Sequence, residues 1–306
     1  MTLQVVLAIF LVMQLSMGMA AAPVIGVASA KGSFRIDNAT VAGNGTLLEG
    51  TTIETNRASS DVDLVGGVKM ALGAGSRGRV YRDHLVLEKG DSQLRNATRF
   101  GVEAKNLRVI ADDANTVSRI SVRDNNRVQV AALAGTVRVT NANGLLIASV
   151  AAGRALEFEQ QAAGAAGPAR LTGCLVKRDG HFFLTDDTAN ITVELKGAGL
   201  DSHAGHKIEI MGSQVPGATP EGNASQMIQV SAIKEISKRC SLPAGAVAGG
   251  AAAGGAAAGG AAGGAATAAG IGIAAKAVIA GVIVAAAGTS AAIAVTQSDD
   301  TPNISR

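Results

Sequence analysis

Apolar and polar residues alternate in short runs along most of the chain. Val62 and Leu64 alternate, as do Val68, Met70 and Leu72, then Leu85 and Leu87, then Phe100 and Val102. The pattern continues with Val128 and Val130, Val137 and Val139, and Leu156 and Phe158. Gly, Asn or Asp clusters bound these runs, among them Gly66-Gly67, Gly90-Asp91 and Asn143-Gly144. A period of two places alternate side chains on one face, so each run predicts a half-buried strand. Strands this short and this closely spaced predict a sandwich, a barrel or a stacked solenoid rather than a parallel α/β sheet. Nothing between 31 and 160 carries the apolar stripe of a helix. Residues 161–169 are small and unpatterned, which suits a linker.

A second group of strands follows. The pattern predicts five: Leu171–Lys177, His181–Asp186, Ile191–Lys196, Lys207–Met211 and Met227–Ile236. A Gly-bounded segment, Ala198–Gly205, separates the third from the fourth. Five strands with an irregular insertion at that place are similar to an OB-fold barrel, with a plain five-stranded sheet as the alternative. Cys174 and Cys240 are the only cysteines, and they bracket this group. In an exported protein such a pair reads as a disulfide.

Charge divides the chain further. No charged residue precedes Lys31, and Lys276 is the only one from Ser241 to Ser298. The stretch 31–240 therefore holds 25 of the 27 Lys and Arg residues and 22 of the 24 Asp and Glu residues. The mostly apolar run Val5–Met19 reads as an export signal, with Ala28-Ser29-Ala30 as a cleavage site and Ala20-Ala21-Ala22 as an earlier candidate. It lacks the Lys or Arg that usually opens such a signal, and an uncleaved anchor is the alternative. Residues 241–270 are an Ala/Gly-rich tract, expected to be a flexible linker in water. The charge-free run Ala277–Val295 is just long enough to cross a bilayer, so a transmembrane helix is expected over 271–296, ahead of a polar tail at 297–306. A water-exposed tail ending in an assembly helix is the alternative.

The run from Gly32 through Leu94 resembles a FecR-type domain. The matching parts are Gly32, Phe34 and Ile36, then Leu47-Leu48-Glu49-Gly50-Thr51 with Ile53 and Thr55, then Val62–Val65, Ser76, Leu85, Leu87 and Gly90. The likeness continues loosely to about residue 160. It implies an extracytoplasmic β-rich module; in the founding group such modules relay a surface signal through the membrane. The expected organisation is then an export signal or anchor at 1–30, a FecR-like β-sandwich or solenoid at 31–160, a linker at 161–169 and an OB-like β domain at 170–240. The Ala/Gly-rich tract and an apolar C-terminal helix complete a mainly β protein.

Candidate chemistry is sparse. Gly73, Gly75 and Gly78 have the spacing of a dinucleotide-binding loop, but that loop must open a helix, and Arg79–Leu87 reads as a strand. The three glycines are expected to form a hairpin turn. His203 and His206 are the best metal-like pair, with Asp201 before them. Gly205 breaks the helix that would put both on one face, so solvated loop histidines are expected. Phe182 and Phe183 are the only aromatics available for stacking on nucleic acid, and as neighbours in a strand they face opposite sides. Aromatics make up only 2% of the chain, which weakens every argument for a nucleic-acid groove. No cofactor and no assembled catalytic site are expected. The expected role is that of a non-enzymatic bacterial cell-envelope protein, periplasmic or membrane-attached, that recognises an envelope glycan, peptide or protein. The alternative is a reduced FecR-type regulator acting through a membrane partner.

Overall fold

The computed structural model describes residues 23–123, 127–160, 168–240, 276–279 and 282–286. The apolar run before Pro23, the linker residues 161–167, the Ala/Gly tract 241–270 and the tail 297–306 lie outside the described residues. What is described is almost entirely β.

The first unit begins with seven strands: β1 (Val24–Ile36), β2 (Ala39–Leu48), β3 (Thr51–Thr55), β4 (Ser60–Leu64), β5 (Lys69–Leu72), β6 (Arg77–Val80) and β7 (His84–Arg95). Two of them are long and each faces a broken partner. β3 and β4 lie one after the other along β1, and β6 and β5 do the same along β7. β3 also pairs with β6, and β4 with β5. The pairings β1–β3–β6–β7–β5–β4 thus return to β1 and close a six-stranded barrel. Its interior is filled by the alternating residues of the sequence pattern, including Phe34, Ile53, Val62, Leu72, Val80, Leu85 and Leu87. Closure leaves these strands without free edges, and β2 continues the sheet outside the barrel on β1.

The break between β5 and β6 corrects one expectation. Gly73, Gly75 and Gly78 do not turn a hairpin, because β5 and β6 do not pair with each other. Both lie antiparallel to β7, and the segment between them arches over its bend. Thr55 and Ser76 organise the arch. The Thr55 hydroxyl accepts the Ser76 N–H, and the Ser76 side chain accepts the Asp91 N–H, at 2.9 Å each. Gly90 sits at φ +83°, and a Cβ there would lie 2.5 Å from the Ser76 Cα. A glycine is therefore needed where β7 passes beneath the arch.

Seven further strands extend the unit: β8 (Gly101–Ala104), β9 (Leu107–Ala111), β10 (Val117–Val122), β11 (Arg127–Ala134), β12 (Val137–Asn141), β13 (Leu146–Val150) and β14 (Ala155–Gln160). They leave β7 as two arms. Its first half pairs with β8, which leads through β9 and β12 to β13; its second half pairs with β10, which leads through β11 to β14.

The second unit contains β15 (Ala169–Arg178), β16 (His181–Asp186), β17 (Thr192–Lys196), β18 (Lys207–Gln214) and β19 (Met227–Ser237). These are the five expected strands, each within a few residues. β15 pairs with β16, β16 with β17, β17 with β19, β19 with β18, and β18 with β15. Only β17–β19 is parallel. A 3-10 turn at Asp201–His203 lies between β17 and β18. Leu171, Leu175, Leu184, Val193, Ile208, Ile210 and Ile228 are buried inside the ring. Cys174 and Cys240 form the expected disulfide, with Cα atoms 5.6 Å apart. The two units touch, since the Ser149 N–H donates to the Ala189 carbonyl at 2.8 Å.

Where a C-terminal transmembrane helix is expected, the described residues are strands. Within 271–296 lie two strands, β20 (Lys276–Ile279) and β21 (Val282–Ala286), paired antiparallel. β21 adds to the edge of β14, from Leu156 opposite Ala286 to Gln160 opposite Val282, and Val278 pairs with Arg170 of β15. Val278, Ile279, Val282, Ile283 and Val284 are β-branched, which restricts χ1 in a helix and suits a pleated surface. The edge of β14 supplies the ladder that completes them. Among the described residues no helix is long and apolar enough to cross a membrane.

Candidate functional site

Among the described residues, the second unit holds two groups of side chains that are placed for chemistry. The first lies on the outer face of β15, β16 and β17. Residues 182, 184 and 186 of β16 point one way, and burial of Leu184 and Asp186 marks that side as inward. Phe182 shares it and packs partly against the core. Phe183 takes the opposite side, directly across from Val176 of β15, and both stay partly exposed. His181, two residues from Phe183 on the same face, has its ring centroid 6.4 Å from the Phe183 ring. Its Nδ1 lies 2.9 Å from Glu194 Oε1. Glu194 is buried beneath the β18–β19 connection, whose Glu221 N–H donates to Oε2 at 2.8 Å. Burial alone would push this carboxyl up. The Glu221 N–H and His181 outweigh burial and hold it below the usual carboxylate range. Beyond Phe183 on the same face, the exposed hydroxyls of Thr185 and Thr192 meet at 2.9 Å.

The second group joins His203 and His206 to Glu235. His203 ends the 3-10 turn, and His206 immediately precedes β18. Gly205 between them has φ +84°, which lets the chain fold back after the turn. The His206 N–H then donates to the His203 carbonyl at 3.0 Å, and the rings stand edge to face, 6.0 Å apart. The glycine that prevents a common helical face thus brings the two imidazoles together by another route. Their partner comes from β19, where Glu235 lies across from Ile208. Glu235 Oε2 is 2.9 Å from His206 Nδ1 and 3.4 Å from His203 Nδ1. The bond from His206, then the contact with His203, holds this carboxyl below the usual range. Asp201, the other expected neighbour, instead pairs with Lys177.

The remaining histidine, His84, stacks on Tyr81 with centroids 4.5 Å apart and meets Asp83 at 2.7 Å, in the first unit. Sequence reasoning found His203 and His206 but missed Glu235 and the Glu194–His181 pair. Both acids lie on strands that only the sheet register brings opposite a histidine-bearing segment. Alternation along β17 places Glu194 on the face away from the core, but nothing local marks it as buried. No family model matches the chain, and no curated protein matches it.

Proposed function

We propose that the protein is a non-enzymatic component of a bacterial cell envelope that recognises a glycan outside the cytoplasm. On this reading the first unit is a FecR-type β module and the second an OB-like barrel. The ring of five strands, its single parallel contact and the short helical turn between the third and fourth strands support the second assignment. The disulfide fits an oxidising compartment. OB-type barrels bind oligonucleotides and oligosaccharides on the face of their second and third strands, which here are β16 and β17.

One observation carries the choice of ligand. In a chain with six Phe, one Tyr and no Trp, an aromatic ring is turned outward on that face. Phe183, flanked by Val176 and His181, offers a flat apolar patch to the C–H face of a sugar. The Thr185 and Thr192 hydroxyls and the His181 ring offer hydrogen bonds beside it. The buried Glu194, bonded to His181, underlies this face, and a carboxylate there disfavours the phosphates of a nucleic-acid backbone.

The test is retention of the purified full-length protein on peptidoglycan and on an array of envelope glycans. Binding is expected to fall at least tenfold in Phe183→Ala. That truncation leaves the barrel interior intact because Phe183 lies outside it. Failure of the wild type to bind any envelope glycan, or equal binding by Phe183→Ala, would overturn the proposal.

A further inference from the structure

We propose that His203, His206 and Glu235 form a binding site for a divalent first-row transition ion, with zinc as its reference occupant. This goes beyond glycan recognition and does not depend on it.

The donor set is two imidazole nitrogens and one carboxylate oxygen, which suits zinc, copper or nickel and leaves a position for water. Calcium and magnesium prefer sites made wholly of oxygen ligands. One ligand atom from each residue lies within 4.8 Å of the other two. A tetrahedral ion with bonds of about 2.0–2.2 Å separates its ligands by roughly 3.3–3.6 Å. The 3.4 Å from His203 Nδ1 to Glu235 Oε2 already has that value, and the 2.9 Å from His206 Nδ1 must open only slightly.

The backbone that carries the trio is fixed independently of the three side chains. Main-chain bonds close the turn: Gly205 N–H to the Leu175 carbonyl at 2.8 Å, and Leu175 N–H to the His206 carbonyl at 3.0 Å. The Glu235 strand is paired with β18, and the disulfide ties Cys174, opposite Lys207, to Cys240 just beyond β19. Side-chain rotations alone can therefore complete the ligand set.

His203 Nδ1 supplies a second and separate indication. It is shielded from solvent and makes no hydrogen bond in the structure. Buried polar atoms are nearly always satisfied, so an orphaned imidazole nitrogen turned toward a carboxylate calls for a partner. An ion bound between them provides one. A proton shared among the three groups is the competing account. Lys238 is the nearby cation that would oppose metal entry, and its charge also acts on Glu235.

The experiment is zinc titration of untagged full-length protein by calorimetry at neutral pH, with cobalt absorption as a spectroscopic reporter of coordination. One zinc per chain is expected. His203→Ala, His206→Ala and Glu235→Gln should each weaken binding about tenfold or more, a usual effect of disturbing a metal site. The main-chain bonds of the turn do not involve these side chains, and circular dichroism will show whether each variant is folded. His181→Ala, which breaks the other His–Glu pair of this unit, should bind zinc as the wild type does. Absence of zinc binding would overturn the proposal, as would equal binding by the His203→Ala/His206→Ala double variant. A pH-dependent stability change in these variants without any zinc affinity would assign the trio to a shared proton instead.

Discussion

Asp186 holds together the corner between β16 and β17 in the second unit, and its removal should be costly. It ends β16 and is 1% exposed. Oδ1 accepts the Thr172 N–H at 3.0 Å, and Oδ2 accepts the N–H groups of Thr188 and Ala189 at 3.0 and 2.7 Å. One carboxylate therefore fastens β15 to the β16–β17 turn. Asp186→Ala leaves three amide donors without their acceptor, two of them on buried residues. An unsatisfied buried donor costs about 1–3 kcal/mol. Relief from burying a charge offsets part of this, since burial pushes the Asp186 carboxyl up against the pull of its three N–H bonds. We expect a net loss of about 3–5 kcal/mol for Asp186→Ala. In Asp186→Asn the amide oxygen can serve Thr188 and Ala189, but its NH2 then meets the Thr172 N–H donor to donor. A smaller loss of about 1–3 kcal/mol follows.

Urea unfolding by far-UV circular dichroism is the suitable assay. The chain has no Trp, and its one Tyr, Tyr81, lies in the first unit and would not report this corner. The midpoint of the second unit's transition should shift with its slope unchanged. The pH dependence has a definite sign. A raised carboxyl keeps its proton to higher pH in the folded chain than in the unfolded one. Its contribution is therefore present below the ordinary carboxylate value and lost as pH rises through the raised one. The stability gap between wild type and Asp186→Asn should narrow across that window. A loss under 1 kcal/mol for Asp186→Ala, or Asp186→Asn less stable than Asp186→Ala, would refute this account of the corner.

Two further outcomes are expected. Replacing Cys174 and Cys240 together by Ser opens a link across 66 residues, for which loop entropy predicts a loss of about 4 kcal/mol, read from the same urea transition; an unchanged midpoint would show that the bond constrains nothing. If an N-terminal signal is removed on export, the mature chain should start before Val24, because Ile25 and Ala28 lie in the core and Gly26–Ser29 pair with β4. N-terminal sequencing of the exported protein checks this, and a start at Lys31 would contradict the pairing of β1.

The alternation of Val62 with Leu64, of Leu85 with Leu87 and of Val137 with Val139 was enough to identify strands and their inward faces. Side-chain alternation is a local consequence of the pleat, independent of which strand lies alongside. For the same reason the five strands of the second unit were legible, and the cysteines at its two ends already implied their bond. What lay beyond the sequence was every decision made between distant segments. The arch at Gly73–Ser76 looked like a hairpin because its residues suit a turn; only its position over Gly90 shows that both flanking strands belong to β7. The run around Val282 is apolar enough for a membrane and β-branched enough for a sheet, and its described residues pair along the edge of β14. Glu235 stands 29 residues from His206, and the register of β18 against β19 alone makes them neighbours. Period and composition act over a few residues, whereas register, closure and edge pairing depend on which surfaces meet. The sequence by itself determined that the two described units are built of strands; the tertiary structure decided which of the four histidines stand beside which carboxylates.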